Sequence, residues 1–252
     1  MTQFAILVPT YNESISIVEL LEKLEPLHKE YKFDLFVLDD NSPDKTADIV
    51  DQLGYSWVSV VRRPGKAGLG AAYRAGFEKV LTVDKYTHVV TMDADGSHRV
   101  EDLPAMFAAA SGKPAESKII VLGTRWMPGG SVVNWPKSRQ LLSQSGTRYA
   151  QIVLGIALRD LTGGFRIYSS SLLRSLKLKD MTATGYCFQI EMAMASDLAG
   201  AAKIEVPITF VERVNGVSKM SKAIVVEALW QTTLWGVFRR LRPNADKLHY
   251  VK

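Results

Sequence analysis

His88-Val89-Val90-Thr91-Met92-Asp93-Ala94-Asp95-Gly96 is the stretch that decides how this chain is read. A short apolar run bounded by a turn signal predicts a buried strand over 88–92, and that strand delivers Asp93 and Asp95 to the loop at its carboxyl end. The same grammar recurs upstream. Phe4 to Val8, stopped by Pro9, predicts a first strand that runs into Thr10-Tyr11-Asn12-Glu13-Ser14. Residues 33–38 predict a second, running into Asp39-Asp40-Asn41-Ser42-Pro43-Asp44, and 57–61 a third. Between the strands, helices are expected from a Ser14 or Ser16 cap to about Tyr31, with Ile17, Leu20, Leu21 and Leu24 on one face, and over 45–53, 71–81 and 104–111. A fifth strand is expected over 119–122.

Strands alternating with helices imply an α/β fold with a mostly parallel sheet covered on both faces. Ligands of such sheets bind beyond the carboxyl ends of the strands. The loops at 11–13, 39–44 and 93–98 all fall there, so three acid-bearing loops should converge on one sheet edge. The second half is less regular. A helix is expected over 141–157, a Gly-Gly turn within 160–168, a helix over 189–198, a strand over 204–211 and a polar loop over 212–221. An amphipathic helix with a basic end follows over 223–240. With no repeat or linker, the chain reads as one domain over 1–242, with a tail at 243–252.

Composition bounds the partners. The 252 residues are 47% hydrophobic and 23% charged, which excludes disorder and collagen-like structure. A formal net charge of +5 suits an anionic partner, whether nucleic acid, a phosphorylated substrate or an anionic membrane surface. The single cysteine, Cys187, cannot build a disulfide framework or a cysteine zinc site, and reads as a packed hydrophobe. The first residues lack the basic and apolar regions of a signal peptide. The best apolar run, 223–238, is interrupted by Glu227, Gln231, Thr232 and Thr233, so no membrane span is expected.

Two carboxylates two residues apart point in similar directions if the backbone stays extended. Hard cations such as Mg²⁺ or Mn²⁺ take oxygen ligands and are readily shared between carboxylates and a substrate's phosphates. Two acids in a loop are by themselves more commonly just solvated. The preceding strand and the second acidic loop favour a metal at Asp93 and Asp95. Asp39 and Asp40 can accept hydrogen bonds from a nucleoside, although Asp-Asn-Ser-Pro-Asp is also a strong turn sequence. Gly65-Lys66-Ala67-Gly68-Leu69-Gly70 lacks both the P-loop and the dinucleotide-binding spacing, so its glycines are read as shaping the turn into the next helix. Arg125, Arg139, Arg213 and Lys219 lie in polar, Gly- or Trp-bearing segments and could gather around phosphates or simply be solvated.

Taken together, Val8-Pro9-Thr10-Tyr11-Asn12-Glu13, Leu38-Asp39-Asp40-Asn41-Ser42-Pro43-Asp44, Met92-Asp93-Ala94-Asp95-Gly96-Ser97-His98, Gly123-Thr124-Arg125, Asp160-Leu161-Thr162-Gly163-Gly164-Phe165-Arg166 and Gly185-Tyr186-Cys187-Phe188-Gln189-Ile190-Glu191 resemble the family 2 glycosyltransferases, and among them the polyprenol-phosphate mannosyltransferases. Lys66-Ala67-Gly68-Leu69-Gly70 and the Arg213–Met220 segment complete the set, and the resemblance makes the half to about 125 nucleotide-binding and the half from about 126 acceptor-side. The resemblance implies a GT-A, Rossmann-like three-layer sandwich, and inverting transfer of mannose from GDP-mannose to a polyprenyl phosphate with Mg²⁺ or Mn²⁺. It assigns Pro9, Tyr11, Glu13, Leu38 and Asp40 to the nucleoside, and Asp93, Ala94 and Asp95 to the diphosphate and metal. Arg125, Arg213 and Lys219 go to the donor phosphates, and Arg139 and Ser143 to the acceptor phosphate. Asp95, Arg125, Arg213 and Lys219 would carry catalysis, with no strong base needed, because the acceptor is already an anion. Where close relatives often carry a metal-ligating Gln, this chain has Ser97, which leaves the third protein ligand open.

A lipid acceptor implies a membrane surface as partner. It also implies a peripheral place on the cytoplasmic face, with or without a separate anchoring protein, and no nucleic acid. Trp126, Met127, Val132, Val133 and Trp135, beside Lys137 and Arg139, suit a membrane interface. The 223–242 segment, with Trp230, Trp235 and Phe238 before Arg239, Arg240 and Arg242, could lie in that interface or face the core. Three alternatives stay open: a UDP-sugar donor, a soluble or polysaccharide acceptor, and an inactive nucleotide-binding subunit.

Overall fold

The computed structural model describes residues 3–114, 116–212, 222–241 and 249–252. The N-terminal half follows the alternation: β1 (Phe4–Thr10), α1 (Ser14–Tyr31), β2 (Asp34–Asp39), α2 (Thr46–Leu53), β3 (Val58–Arg62), α3 (Leu69–Leu81), β4 (His88–Thr91), α4 (Leu103–Ser111) and β5 (Ile119–Thr124). Then come β6 (Ser131–Val133), α5 (Lys137–Leu154), β7 (Arg166–Ser169), α6 (Ser170–Ser175), α7 (Gly185–Leu198), β8 (Ala202–Pro207), β9 (Thr209–Val211) and α8 (Lys222–Leu241). Seven strands form one sheet in the order β3-β2-β1-β4-β7-β5-β8. It is parallel except for β7, which runs antiparallel to both β4 and β5.

Each strand feeds two cores because successive side chains point to opposite faces. Ala5 and Leu7 of β1, Leu38 of β2 and Ile120 and Leu122 of β5 pack with α3, α5, α6 and α7. Ile6 and Val8, Leu35 and Val37, and Ile119 and Val121 pack with α1, α2 and α4. The result is the expected three-layer sandwich. The glycine-rich loop is a packing device as well as a turn: Gly68 takes φ +88 just before α3, and a Cβ on Gly70 would lie 2.5 Å from the Ala183 carbonyl and 2.9 Å from Phe188. Cys187 is buried, and burial above all pushes its thiol up to about 11. It behaves as the packed hydrophobe expected of it.

The second half departs from the sequence reading. The strand expected over 204–211 is two strands. Pro207 ends β8, the Ile208 N–H bonds the Thr124 carbonyl, and the chain then leaves the large sheet to pair β9 in parallel with β6. The three-residue β6 and the six-residue α6 are too short to leave a periodic signal. The 141–157 helix begins earlier and ends at Leu154, where Gly155 adopts φ +67. Residues at the carboxyl end also join the fold. Leu176 bridges Val251, and the buried Tyr250 donates its hydroxyl to Glu191 Oε1 at 3.3 Å.

Candidate active site

Because β2, β1 and β4 are parallel neighbours, the loops after them meet on one edge, and hydrogen bonds tie the first two together. Asp39 accepts from the Thr10 hydroxyl at 3.0 Å, the Ser42 N–H at 2.9 Å and the Ser42 hydroxyl at 2.5 Å. Asn12 N–H donates to Ser42 Oγ, Glu13 N–H to Thr46 Oγ1, and Ser14 N–H to Asp44 Oδ2. The first turn of α1 is thus served from the neighbouring loop. Neither Ser14 nor Ser16 caps it: Glu13 holds the cap position without a side-chain hydrogen bond. Burial alone would raise the Asp44 carboxyl, but its bonds from Thr46 and Ser14 outweigh that and lower it. Asp39 therefore does turn work.

Asp40 is buried and ion-paired to Arg63. Lys66 Nζ sits 4.4 Å over the Tyr11 ring. Leu38 is fully buried, and its Cδ1 would lie 2.7 Å from a Cβ on Gly76. Its side chain is part of the core beneath the edge.

β4 ends at Thr91, so Asp93 and Asp95 stand on irregular backbone, and Gly96 reverses the chain at φ +74. Asp93 lines a cleft of about 360 Å³, Asp95 lines a second of about 250 Å³ beside α1, and His98 lines both. Sequence reading gave His98 no role. It is buried, stacked on Phe165 at 4.9 Å and edge-on to Phe210 at 5.5 Å. Its Nδ1 accepts the Asp93 N–H at 2.9 Å, so Nε2 carries the ring proton, 3.8 Å from Asp93 Oδ2.

Asp95 Oδ1 accepts the Ser97 N–H at 3.1 Å. The Ser97 hydroxyl is buried without a hydrogen-bond partner among the described residues. No group of three or more His, Cys, Asp or Glu side chains is placed among the described residues to hold a metal. Two half-exposed carboxylates and an orphaned hydroxyl fit a hard cation that borrows ligands from a substrate's phosphates, and do not fit a closed protein cage.

Arg125 is buried. Its Nε donates to Asp160 Oδ2 at 2.6 Å, and its Nη2 to Asp160 Oδ1 at 2.8 Å and Thr162 Oγ1 at 2.9 Å. Trp126, Trp135 and Phe210 surround the guanidinium at 5.3–5.4 Å. The Trp126–Trp135 stretch thus turns its rings inward onto Arg125. Burial pushes Asp160 up, but Arg125's charge and hydrogen bonds prevail and hold it below the usual carboxylate range.

Arg139 stacks 4.0 Å over Trp135 and pairs with Glu212, while Ser143 lies buried in the same cleft wall. Arg166, also without a role from sequence alone, is fully buried. It donates to the carbonyls of Gly163, Leu161 and Gln189 and so knits the Gly-Gly turn to α7. Arg213 and Lys219 lie outside the described residues.

The larger cleft therefore combines Asp93, two arginines already paired with carboxylates, and an aromatic wall. Toward α5 and α8 it becomes apolar through Leu142, Ile190 and Leu229, of which Leu142 and Leu229 are solvent-exposed. Such a cleft can take an anionic group at one end and hydrocarbon at the other.

Comparison with known proteins gives this arrangement a family. The model of glycosyl transferase family 2 matches residues 5–177. An undecaprenyl-phosphate mannosyltransferase of Micrococcus luteus is 42% identical over 93% of this chain and 94% of its own length. A polyprenol monophosphomannose synthase of Mycolicibacterium smegmatis is 38% identical over 94% of this chain and 88% of its own. Among solved structures, mannosyl-3-phosphoglycerate synthase from Rubrobacter xylanophilus superposes with TM-score 0.65 at 18% identity, covering 97% of this chain and 75% of that one. Glucosyl-3-phosphoglycerate synthase from Mycobacterium tuberculosis, solved with Mn²⁺, UDP and phosphoglyceric acid, gives 0.64 at 19%, covering 95% and 78%. These two likenesses bear on the fold, which is the GT-A architecture. With the family's model spanning most of the chain and two relatives matching almost end to end, this chain belongs to glycosyl transferase family 2.

Proposed function

We propose that this chain transfers mannose from GDP-mannose to the phosphate of a long polyprenol, with inversion at the anomeric carbon. The observation that carries this reading is the larger cleft: Asp93, Arg125 and Arg139 at one end, and an apolar mouth between α5 and α8 at the other. A phosphate on a hydrocarbon chain matches both ends. The names of the two bacterial relatives support the same acceptor and the same sugar.

In the proposed reaction a non-bridging oxygen of the acceptor phosphate attacks the anomeric carbon from the face opposite GDP. The new carbon–oxygen bond forms as the bond to the diphosphate breaks, and both electrons of that bond leave on the GDP oxygen. No proton needs to be removed from the nucleophile, so rate enhancement rests on positioning and on charge placed where the leaving group develops it. Asp93 and Asp95, with Ser97 as a third oxygen, would hold Mg²⁺ or Mn²⁺, which when bound offsets the diphosphate charge. Pro9, Tyr11, Glu13 and Asp40 are assigned to the nucleoside. Arg125, Arg213 and Lys219 are assigned to the donor phosphates, and Arg139 and Ser143 to the acceptor phosphate. Glu212 holds Arg139 through Nη1 alone, and the buried Nε has no partner among the described residues, so the guanidinium keeps donors for an incoming phosphate.

No described helix is long and apolar enough to cross a membrane. Leu141 of α5 and Val226, Trp230, Phe238 and Leu241 of α8 are nonetheless exposed. This supports docking on the cytoplasmic membrane surface, with or without an anchoring partner. The test is incubation with radiolabelled GDP-mannose, Mg²⁺ or Mn²⁺ and a short polyprenyl phosphate, comparing wild type with Asp95→Ala. Label should pass into the organic phase with wild type and fall by at least a hundredfold with the variant. Transfer from UDP-glucose alone, or equal activity of the two proteins, would overturn the donor and the metal assignments respectively.

A further inference from the structure

Gln189 is 2% exposed, yet neither its Nε2 nor its Oε1 finds a hydrogen-bond partner among the described residues. A buried amide with both ends unsatisfied is costly, and native folds rarely carry one without a use. Its placement is not accidental slack. The Gln189 carbonyl is pinned by Arg166 Nη1 at 2.6 Å, and the side chain lies in the wall of the cleft that holds Asp93. A Cβ built on Gly164 would lie 3.3 Å from Gln189 Nε2 and 3.6 Å from His98 Cε1. The amide, the bare face of Gly164 and the His98 ring therefore meet at one spot, and His98 in turn receives the Asp93 N–H. Gly164 is itself fixed, since its carbonyl accepts the Thr91 hydroxyl at 2.7 Å. A side chain at 164 would crowd the amide, so the glycine keeps that space open.

We infer that Gln189 reads the sugar of the donor, its Nε2 donating to one hydroxyl and its Oε1 accepting from the adjacent one. This rests on the proposed sugar-nucleotide reading of the cleft. A carboxamide offers a donor and an acceptor a fixed distance apart, which suits neighbouring hydroxyls on a hexose ring; a hydrocarbon tail satisfies neither end, and an acceptor-only phosphate satisfies Nε2 but leaves Oε1 unpaired. Sites built to hydrogen-bond a hydroxyl discriminate strongly against the analogue that misplaces it. Gln189 is thus a specificity-determining residue that contacts substrate, and its amide is unsatisfied because its partner arrives with the donor.

The test measures binding and stability without acceptor. Wild type and Gln189→Met, a variant of similar length that lacks both polar atoms, are titrated with GDP, GDP-mannose, GDP-glucose and UDP-glucose in the presence of Mn²⁺, and melted without ligand. The variant should bind the bare nucleoside diphosphate within twofold of wild type. It should lose about tenfold or more of the affinity that the sugar adds, the loss of a hydrogen bond to a substrate hydroxyl, and the preference between the mannose and glucose epimers should narrow. Its unliganded melting temperature should equal or exceed that of wild type, because an unpaired buried amide has been removed. A Gln189→Glu variant, which keeps the acceptor and loses the donor, should retain part of the sugar's contribution. An unchanged sugar contribution in Gln189→Met, or a drop in its unliganded melting temperature, would overturn the inference and leave the proposed function intact. If wild type instead prefers UDP-glucose, the proposed donor falls. Gln189 is then judged by whether Gln189→Met loses the glucose contribution.

Discussion

Asp160 grips Arg125 along one edge of the guanidinium, through Nε and Nη2, and accepts that residue's backbone N–H as well, at 3.2 Å, with both partners buried beside an aromatic box. This pair holds the end of β5 to the Gly-Gly turn, and so fixes the floor of the cleft. Removing one partner leaves the other charge buried and alone, which costs about 3–5 kcal/mol. Asp160→Asn should therefore lower the urea midpoint by that equivalent, while Arg125→Met combined with Asp160→Leu should recover more than half of it. An Asp160→Asn protein as stable as wild type would contradict the description. The folded carboxyl sits below its ordinary range, so its contribution is fully present above about pH 4 and is lost as pH falls further.

A second acid sensitivity acts higher on the pH scale. His88 is buried at the start of β4 against Phe4, and burial lowers its pKa from 6.5 to about 4. Between those values the unfolded chain binds a proton that the folded chain refuses. Stability should thus fall as pH drops through that window, by roughly 3 kcal/mol in all. Urea unfolding at pH 7, 5.5 and 4.5 checks this. His88→Leu should show a shallower decline than wild type, and parallel curves would reject it.

The exposed apolar face of α8 makes a surface prediction. Trp235 is buried in the core, so the residues offered to a bilayer are Trp230, Phe238 and Leu241. Replacing Trp230 and Leu241 together by Ser should cut co-sedimentation with anionic liposomes at low salt by severalfold. Melting temperature should barely move, since exposed positions outside special features change stability by about 0.5 kcal/mol or less. Liposome binding equal to wild type would remove α8 from the membrane reading.

The sequence carried the first half of this fold well, for a physical reason. Each strand from Phe4 to Thr124 is an apolar run ended by a turn residue, and its neighbours in the sheet are set by the right-handed crossovers that helices of this length permit. Those rules place the loops after β1, β2 and β4 together without further information. They say nothing about β7, four residues antiparallel between two parallel neighbours, or about the β6–β9 ribbon, whose partners lie 78 residues apart. The site was legible to the same degree. Asp93 and Asp95 stand out because they follow a strand. Gln189, His98 and Asp160 sit in ordinary helical or turn context and acquire their roles only when the chain brings Gly164 and Arg125 to them. Asp39 was misleading for a related reason: its carboxylate looks available until Ser42 and Thr10 are seen bound to it.

The anchoring of Tyr250 bears on how this protein should be handled. The last residues clasp the segment at Ser175–Lys177 through backbone bonds, and Tyr250 reaches Glu191, two positions beyond Gln189 on α7. Burial keeps the Glu191 carboxyl up despite its bonds from Ala183, Thr182 and Tyr250. Loss of the Tyr250 hydroxyl, by cleavage or substitution, would remove that bond from the helix that lines the cleft. A preparation altered there would look weakly active for reasons of handling alone.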